Sequence, residues 1–180
     1  MENNELPQSE ESVSTPAVLD ENRIFQYREK KKLEQNLPKA VIGGLLAALL
    51  GSIIWAVITV ATGYQIGYMA VGVGFLVGFS VRYMGDGIDQ IFGITGALFA
   101  LLGCLGGNFL SLIGFAANSE GLGYFETLLS VDYSVVPQVM IEAFSPMDIL
   151  FYGLALYEGY KFSFRQFTDS EMMEDLNTTK

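Results

Sequence analysis

The chain has 180 residues and a formal net charge of −10, with 51% hydrophobic and only 17% charged residues. Soluble domains carry roughly 25% charged residues, so this composition is typical of a protein that resides in lipid. The acidic charge lies largely in the two tails and leaves no basic face for nucleic acid. There is no histidine and one cysteine, Cys104, which excludes an intrachain disulfide and the common His/Cys metal sites. We expect no metal and no cofactor.

The polar N-terminal region, residues 1–36, is predicted to lie in the cytoplasm. An acidic tail, expected to be disordered, is followed by DENRIFQYREKKKLEQN, which reads as a short helix with Asp20 as its cap. Its expected apolar contacts are Ile24, Tyr27 and Leu33. The basic residues within it either touch anionic lipid or serve only to fix the orientation of the first span.

Two long uncharged runs predict membrane spans. No Asp, Glu, Lys or Arg occurs from Ala40 to Val81 or from Gln90 to Ser119, whereas one spanning helix needs about 20 apolar residues. The first run is long enough for two helices, and its polar, turn-prone patch Thr62-Gly63-Tyr64-Gln65 marks the break. The predicted spans are residues 40–61, 66–83 and 90–117.

A fourth span is predicted at residues 147–164. Its start is marked by Ser145 as N-cap, Pro146 at the first helical position and Asp148 as the acid of a capping box. The segment before it, residues 118–145, is expected on the outer side, with one or two helical turns lying at the interface.

The distribution of cations predicts the orientation. Nothing cationic lies between Arg82 and Lys161, so four spans place every Lys and Arg on one side, which the positive-inside rule makes cytoplasmic. The predicted fold class is therefore all-α: an integral membrane bundle of four transmembrane helices. Both termini, including the acidic tail 168–180, are expected in the cytoplasm.

Small residues four apart line one face of each of the first three spans. In lipid, helices associate where small residues let their backbones approach, so these stripes predict helix packing. A phosphate-binding loop would need its glycines between a strand and a helix, a context that is absent here. The stripes are Gly43, Ala47 and Gly51; Ala70, Gly74 and Gly78; and Gly103, Gly107 and Ser111.

Two interpretations fit the charges that follow the second span. In the first, Asp86 and Asp89 begin the next helix as N-cap and capping acid while Arg82 reaches the headgroups or pairs with Asp86. In the second, Arg82, Asp86, Asp89 and Glu158 converge at the cytoplasmic mouth of the bundle and bind a cation or relay protons. Lys161, one turn after Glu158, offers that carboxylate a plain salt bridge. Asn108 is expected to form a hydrogen bond between helices.

Two passages of the chain resemble known proteins. They are TGYQIGYMAVGVGFLVGFSVRYMGDGIDQIFGITGALFALLGCLGGN and SPMDILFYGLALYEGYKFS. The first resembles a widespread group of small uncharacterised bacterial membrane proteins, in which a glycine-rich second span leads through G-x-G-x-D into the third. The second passage is similar to that group's ending. The resemblance implies a multi-pass protein of the bacterial inner (plasma) membrane and no particular activity.

Three classes of function follow from these patterns. The leading hypothesis is a non-enzymatic scaffold that binds lipid and a membrane protein partner or a second copy of itself. The alternative is a small oligomeric transporter or channel that uses the acidic residues at the cytoplasmic mouth. A membrane-embedded enzyme ranks third, because the sequence lacks histidine and shows neither G-x-S-x-G nor H-E-x-x-H.

Overall fold

The computed structural model describes residues 21–167 and residue 171. Within this part of the chain the structure is all-α, with seven helices and no strand. Asp20 and the predicted disordered tails lie outside the described residues, apart from Glu171. The helices are α1 (Glu21–Lys32), α2 (Leu37–Thr62), α3 (Met69–Gly85), α4 (Gln90–Glu120), α5 (Tyr124–Ser130), α6 (Val136–Glu142) and α7 (Pro146–Lys161).

The ends of the helices follow from local sequence at several predicted points. Gly63 ends α2 in the left-handed conformation (φ 71°), and its N–H donates to the Thr59 carbonyl, so the break predicted at residues 62–65 is confirmed. The predicted start of α7 is also confirmed. Ser145 accepts from the first turn of the helix, and Asp148 accepts from the Ser145 N–H in a capping box.

The third span begins at Gln90 as predicted, but the capping roles predicted for Asp86 and Asp89 were wrong. Asp86 is not its N-cap but the left-handed C-cap of α3 (φ 48°), and its N–H donates to the Arg82 carbonyl. Asp89 precedes α4, yet its side chain makes no capping hydrogen bond. The free amides are taken instead by Gln35, whose Oε1 accepts from Ile88 N (2.7 Å) and Asp89 N (3.0 Å).

Four helices form a bundle in which α3 and α4 separate α2 from α7. In the described residues α2 and α7 each contact both α3 and α4 but not each other. The contacts give the directions: Gly44 meets Phe99 and Gly107 meets Trp55, so α2 and α4 run parallel. Because α3 runs back between them and α7 lies antiparallel to α4, the four helices alternate up and down.

Small residues form much of the interior of the bundle, together with a few large ones such as Trp55, Val77 and Phe92. All nine residues of the predicted small-residue stripes are buried. A Cβ added at Gly74 would lie 2.7 Å from the Ala155 carbonyl oxygen, and one added at Gly103 would lie 2.7 Å from Val73. The outer face of α2 instead exposes large aliphatic side chains, each at least 45% exposed: Ile42, Leu45, Leu46, Leu49, Leu50, Ile53, Ile54 and Val57.

The helices differ in their capacity to cross a membrane. By length and hydropathy α2 and α4 each qualify, and α6 together with α7 qualifies as a third although the two are bent by 102°. With 17 residues, α3 is a shorter apolar helix. These apolar helices indicate membrane association through two or three spans.

The two ends of the bundle carry different structures. At one end, called the α1 end, lie α1, the turn between α3 and α4, and the residues after α7. Tyr27 of α1 is buried there and packs edge-on against Phe167, but Leu33 is 88% exposed, so its predicted apolar contact was wrong. At the other end, called the α5–α6 end, residues 121–145 form the two short helices.

Candidate functional site

A junction at the α1 end ties three separate chain segments together. The Asn36 N–H donates to the Gly85 carbonyl (2.9 Å), and the Arg165 N–H donates to the Gly87 carbonyl (2.8 Å). The Arg165 guanidinium lies 3.3 Å from Glu34 and 3.5 Å from Asp86. The turn between α3 and α4 is therefore held both by the residues that precede α2 and by those that follow α7.

Local ion pairs shape the charges of this junction. A hydrogen bond from Lys31, 2.8 Å from Glu34, lowers the pKa of the Glu34 carboxyl, and the same bond raises the pKa of Lys31. Arg165 contributes a further lowering of the Glu34 pKa. The carboxylates here are matched by cations and by Gln35, whose Nε2 donates to Asp89 (3.0 Å).

The structure brings together only part of the predicted ion site. Asp86 and Asp89 belong to the junction, whereas none of the ion pairs in the described residues includes Arg82. Glu158 lies at the level of Gly74 and Gly78, about 10 to 16 Å along α3 from its end. Glu158 therefore does not join the other predicted site residues at the mouth. The residue that reaches the turn is Arg165, seven positions later in the chain.

Glu158 lies half-buried along the bundle rather than at its mouth. Its Oε2 is buried and has no hydrogen-bond partner, and its Cβ faces Gly74. The salt bridge expected from Lys161 is not formed; the ammonium group lies over the Tyr157 ring, 5.2 Å from its centroid. Ionisable groups inside a membrane bundle are costly and mark sites of function by default.

A second polar group lies toward the α5–α6 end. Asn108 forms the hydrogen bonds between segments that its position predicted: its Nδ2 donates to the Tyr152 hydroxyl, and its Oδ1 accepts from Gln65 (3.1 Å). Beside it lies a cavity of about 180 Å³. Its lining is Thr59, Gln65, Asn108, Ser111, Leu112, Phe115, Met140, Ala143 and Phe144.

The sequence did not identify the residues that complete the junction at the α1 end and the polar group around Asn108. Gln35 and Arg165 act on a turn more than 50 positions away in the chain, so no local spacing could identify them. Tyr152 and Thr59 look like ordinary membrane-helix residues by composition. The one available signal was Asn108, the only Asn in an otherwise apolar span, since such a side chain needs a partner in lipid.

No group of three His, Cys, Asp or Glu side chains in the described ranges is arranged to hold a metal ion. No family model, curated protein or solved structure matches this chain. The resemblance to small bacterial membrane proteins thus stays a prediction, and function has to be argued from the geometry alone.

Proposed function

We propose that this chain is a four-span integral membrane protein of a bacterial plasma membrane, non-enzymatic, that acts as a scaffold or binds a membrane partner. The observation that carries the proposal is the inverted packing. Apart from Trp55 and Thr59, the buried face of α2 consists of glycine, alanine and serine, while Leu and Ile side chains face outward along the same helix. Helices in lipid gain little by burying large apolar groups against each other, so close backbone approach is what holds them.

The directions of the helices support four spans rather than two. Because α2 and α4 are parallel, a chain that crosses with both of them has to cross back between them, and α3 is the helix that returns. At 17 residues α3 is about 26 Å long, and the flanking turns supply the remaining few ångströms of a core about 30 Å thick. The same reasoning applies to the 16 residues of α7.

The cations support an orientation with both termini in the cytoplasm. Lys39, Arg82 and Arg165 all lie near the α1 end, together with the basic turn of α1. By the positive-inside rule this end faces the cytoplasm. The short helices α5 and α6, with Phe125 77% and Ile141 74% exposed, then lie at the outer interface, where they offer apolar surface to lipid or to a partner.

Thiol labelling in intact cells tests this topology. Single cysteines are introduced at Ser119, Glu29 and Gln166, all of which are exposed, in a Cys104→Ser background. A membrane-impermeant maleimide is expected to label position 119 from outside, and the other two only after lysis. Labelling of position 166 from outside would contradict four spans, and release of the protein by a carbonate wash would contradict membrane integration altogether.

A second candidate function, transport of a cation or of protons by an oligomer, is favoured by one observation. The Glu158 Oε2 is buried in the bundle without a partner. Proton and sodium flux into proteoliposomes is the measurement, with Glu158→Gln as the variant and Glu126→Gln, on exposed α5, as the matched control. If Glu158→Gln abolishes the flux and Glu126→Gln does not, the protein is a transporter and the scaffold proposal is wrong. Absence of flux in the unaltered protein would support the scaffold.

A further inference from the structure

We propose that the cavity at the α5–α6 end binds a small neutral molecule through a hydroxyl or carbonyl oxygen. The cavity has a volume of about 180 Å³ and lies among α2, α4 and the segment of α6 that continues to Phe144. This inference goes beyond the scaffold role and does not depend on it. It rests on one side chain whose hydrogen-bonding capacity the protein leaves unused.

That side chain is Thr59, which lines the cavity. Its residue is 0% exposed, yet its Oγ1 has no hydrogen-bond partner. The other buried serine and threonine side chains in the described residues all donate to the carbonyl four residues earlier in the chain. These are Ser52, Thr95, Ser111, Thr127 and Ser163.

Thr59 points to a ligand because its hydroxyl leaves unused a partner that every helix offers, the carbonyl four residues earlier. A hydroxyl in a helix commonly satisfies itself on the i−4 carbonyl, and leaving it unpaired and buried costs free energy. The hydroxyl of Thr59 keeps that capacity in a residue that lines the cavity. A molecule in the cavity would supply the missing partner.

Trp55 provides a second unused donor one turn away on the same face of α2. It is 0% exposed, and its Nε1 has no hydrogen-bond partner. Its ring packs on Gly107, the residue before Asn108. An indole N–H can only donate, but Trp55 is not among the residues that line the cavity. The need for an acceptor oxygen therefore follows from Thr59, because the other buried serine and threonine hydroxyls all donate.

The rest of the lining sets the class of ligand. Gln65, Asn108 and Ser111 are polar but neutral, and Leu112, Phe115 and Phe144 are apolar, so no lining residue carries a charge. A charged ligand would enter without a counter-charge, which is strongly unfavourable. The volume of about 180 Å³ corresponds to about six water molecules at roughly 30 Å³ each, which suits a short amide or alcohol.

The intrinsic fluorescence of Trp55, the only tryptophan in the chain, gives a direct test. The purified full-length protein in nanodiscs is titrated with acetamide, with 1-propanol and with acetate, which matches acetamide in size but is charged. We expect a saturable shift of the emission with acetamide or 1-propanol in the millimolar range, and none with acetate. A response that stays linear for both neutral probes, or one that acetate reproduces, would overturn the proposal.

Variants at Thr59 separate a ligand group from a structural one. Thr59→Val keeps the shape, removes the hydroxyl and should weaken the saturable response at least tenfold, whereas Thr59→Ser should keep it. Thr62→Val is the control, since Thr62 already bonds to the Ile58 carbonyl. Thr59→Val should melt no lower than the unaltered protein, because it removes an unpaired buried group. A lower melting temperature or failure to fold would show that the hydroxyl is structural and would contradict the proposal.

Discussion

Helices α2 and α7 occupy opposite corners of the bundle and are held there in different ways. Both pack on α3 and α4. α2 has 26 residues and contacts its neighbours largely through side chains, such as Trp55 against Gly107. α7 has 16 residues and approaches the backbone itself: a Cβ added at Gly159 would lie 2.7 Å from the Gly96 carbonyl oxygen.

The difference shows how a short helix can be fixed as firmly as a long one. Burial of side chains along 26 residues distributes the stabilisation of α2 over many contacts that can adjust. α7 has fewer contacts, and they involve carbonyl groups of α7 itself, which face α3, and of α4, and these cannot move without displacing a helix. We therefore expect single substitutions to act strongly on α7 and weakly on α2.

The largest effect is expected for Gly159→Ala. The new methyl group would meet backbone at 2.7 Å and the Ala100 Cβ at 2.8 Å, so α4 and α7 have to separate. Overpacking of this kind costs about 1 to 3 kcal/mol. The temperature at which the buried Cys104, the only thiol, becomes reactive to a maleimide dye reports unfolding in detergent.

The matched control is Gly153→Ala, on the same helix, where an added Cβ has nothing within 4 Å. This change should leave stability unaltered or raise it by up to about 1 kcal/mol, the difference in helix propensity between the two residues. If the two variants expose Cys104 at the same temperature, α7 is not held by backbone contact.

A moderate effect is expected for Gln35→Ala, which removes the hydrogen bonds between the segment before α2 and the turn between α3 and α4. Two amides at the start of α4, Ile88 N and Asp89 N, would lose their acceptor. A hydrogen bond within a protein contributes about 1 kcal/mol net to stability. Hydrogen exchange should show faster exchange at residues 88–92, while Gln26→Ala, an exposed change in α1, should leave it unaltered. Unchanged protection in Gln35→Ala would mean that water replaces the amide fully.

A smaller effect is expected for Gly51→Ala, the counterpart of Gly159→Ala on α2. Its Cβ would meet Val73 Cγ2 at 3.2 Å and Leu76 Cδ2 at 3.6 Å. Both neighbours are ends of side chains, which can shift by a few tenths of an ångström. We expect a change of less than about 1 kcal/mol in the Cys104 assay, because the gain in helix propensity offsets mild crowding. A loss equal to that of Gly159→Ala would erase the contrast between the two helices.

The sequence predicted those parts of this architecture that depend on local chemistry. The uncharged runs, the break at Gly63 and the capping box at Ser145 are each read from neighbours in the chain. The residue that holds the turn before α4 could not be predicted, because the acceptor for the Ile88 and Asp89 amides is Gln35, 53 positions before Ile88. Nor could spacing show that Arg165, rather than Glu158, would reach the turn, since that depends on where α7 crosses α4.

The smallest effect is expected at the ion pair between Arg165, which follows α7, and Glu34. Unlike the hydrogen bonds of the neutral Gln35 side chain, this ion pair should respond to pH. The pKa of Glu34 is lowered in the folded protein by Lys31 and, to a lesser degree, Arg165. Its contribution is therefore present above its ordinary pKa and is lost as pH falls through the lowered value. Because the Glu34 side chain is 43% exposed, we expect Glu34→Gln to cost a few tenths of a kcal/mol at pH 7 and nothing once the pH lies below the lowered pKa of Glu34. The Gln35→Ala penalty, measured in parallel, should not change between these pH values. A Glu34→Gln effect that persists in acid would mean that packing, and not charge, ties α7 to the turn.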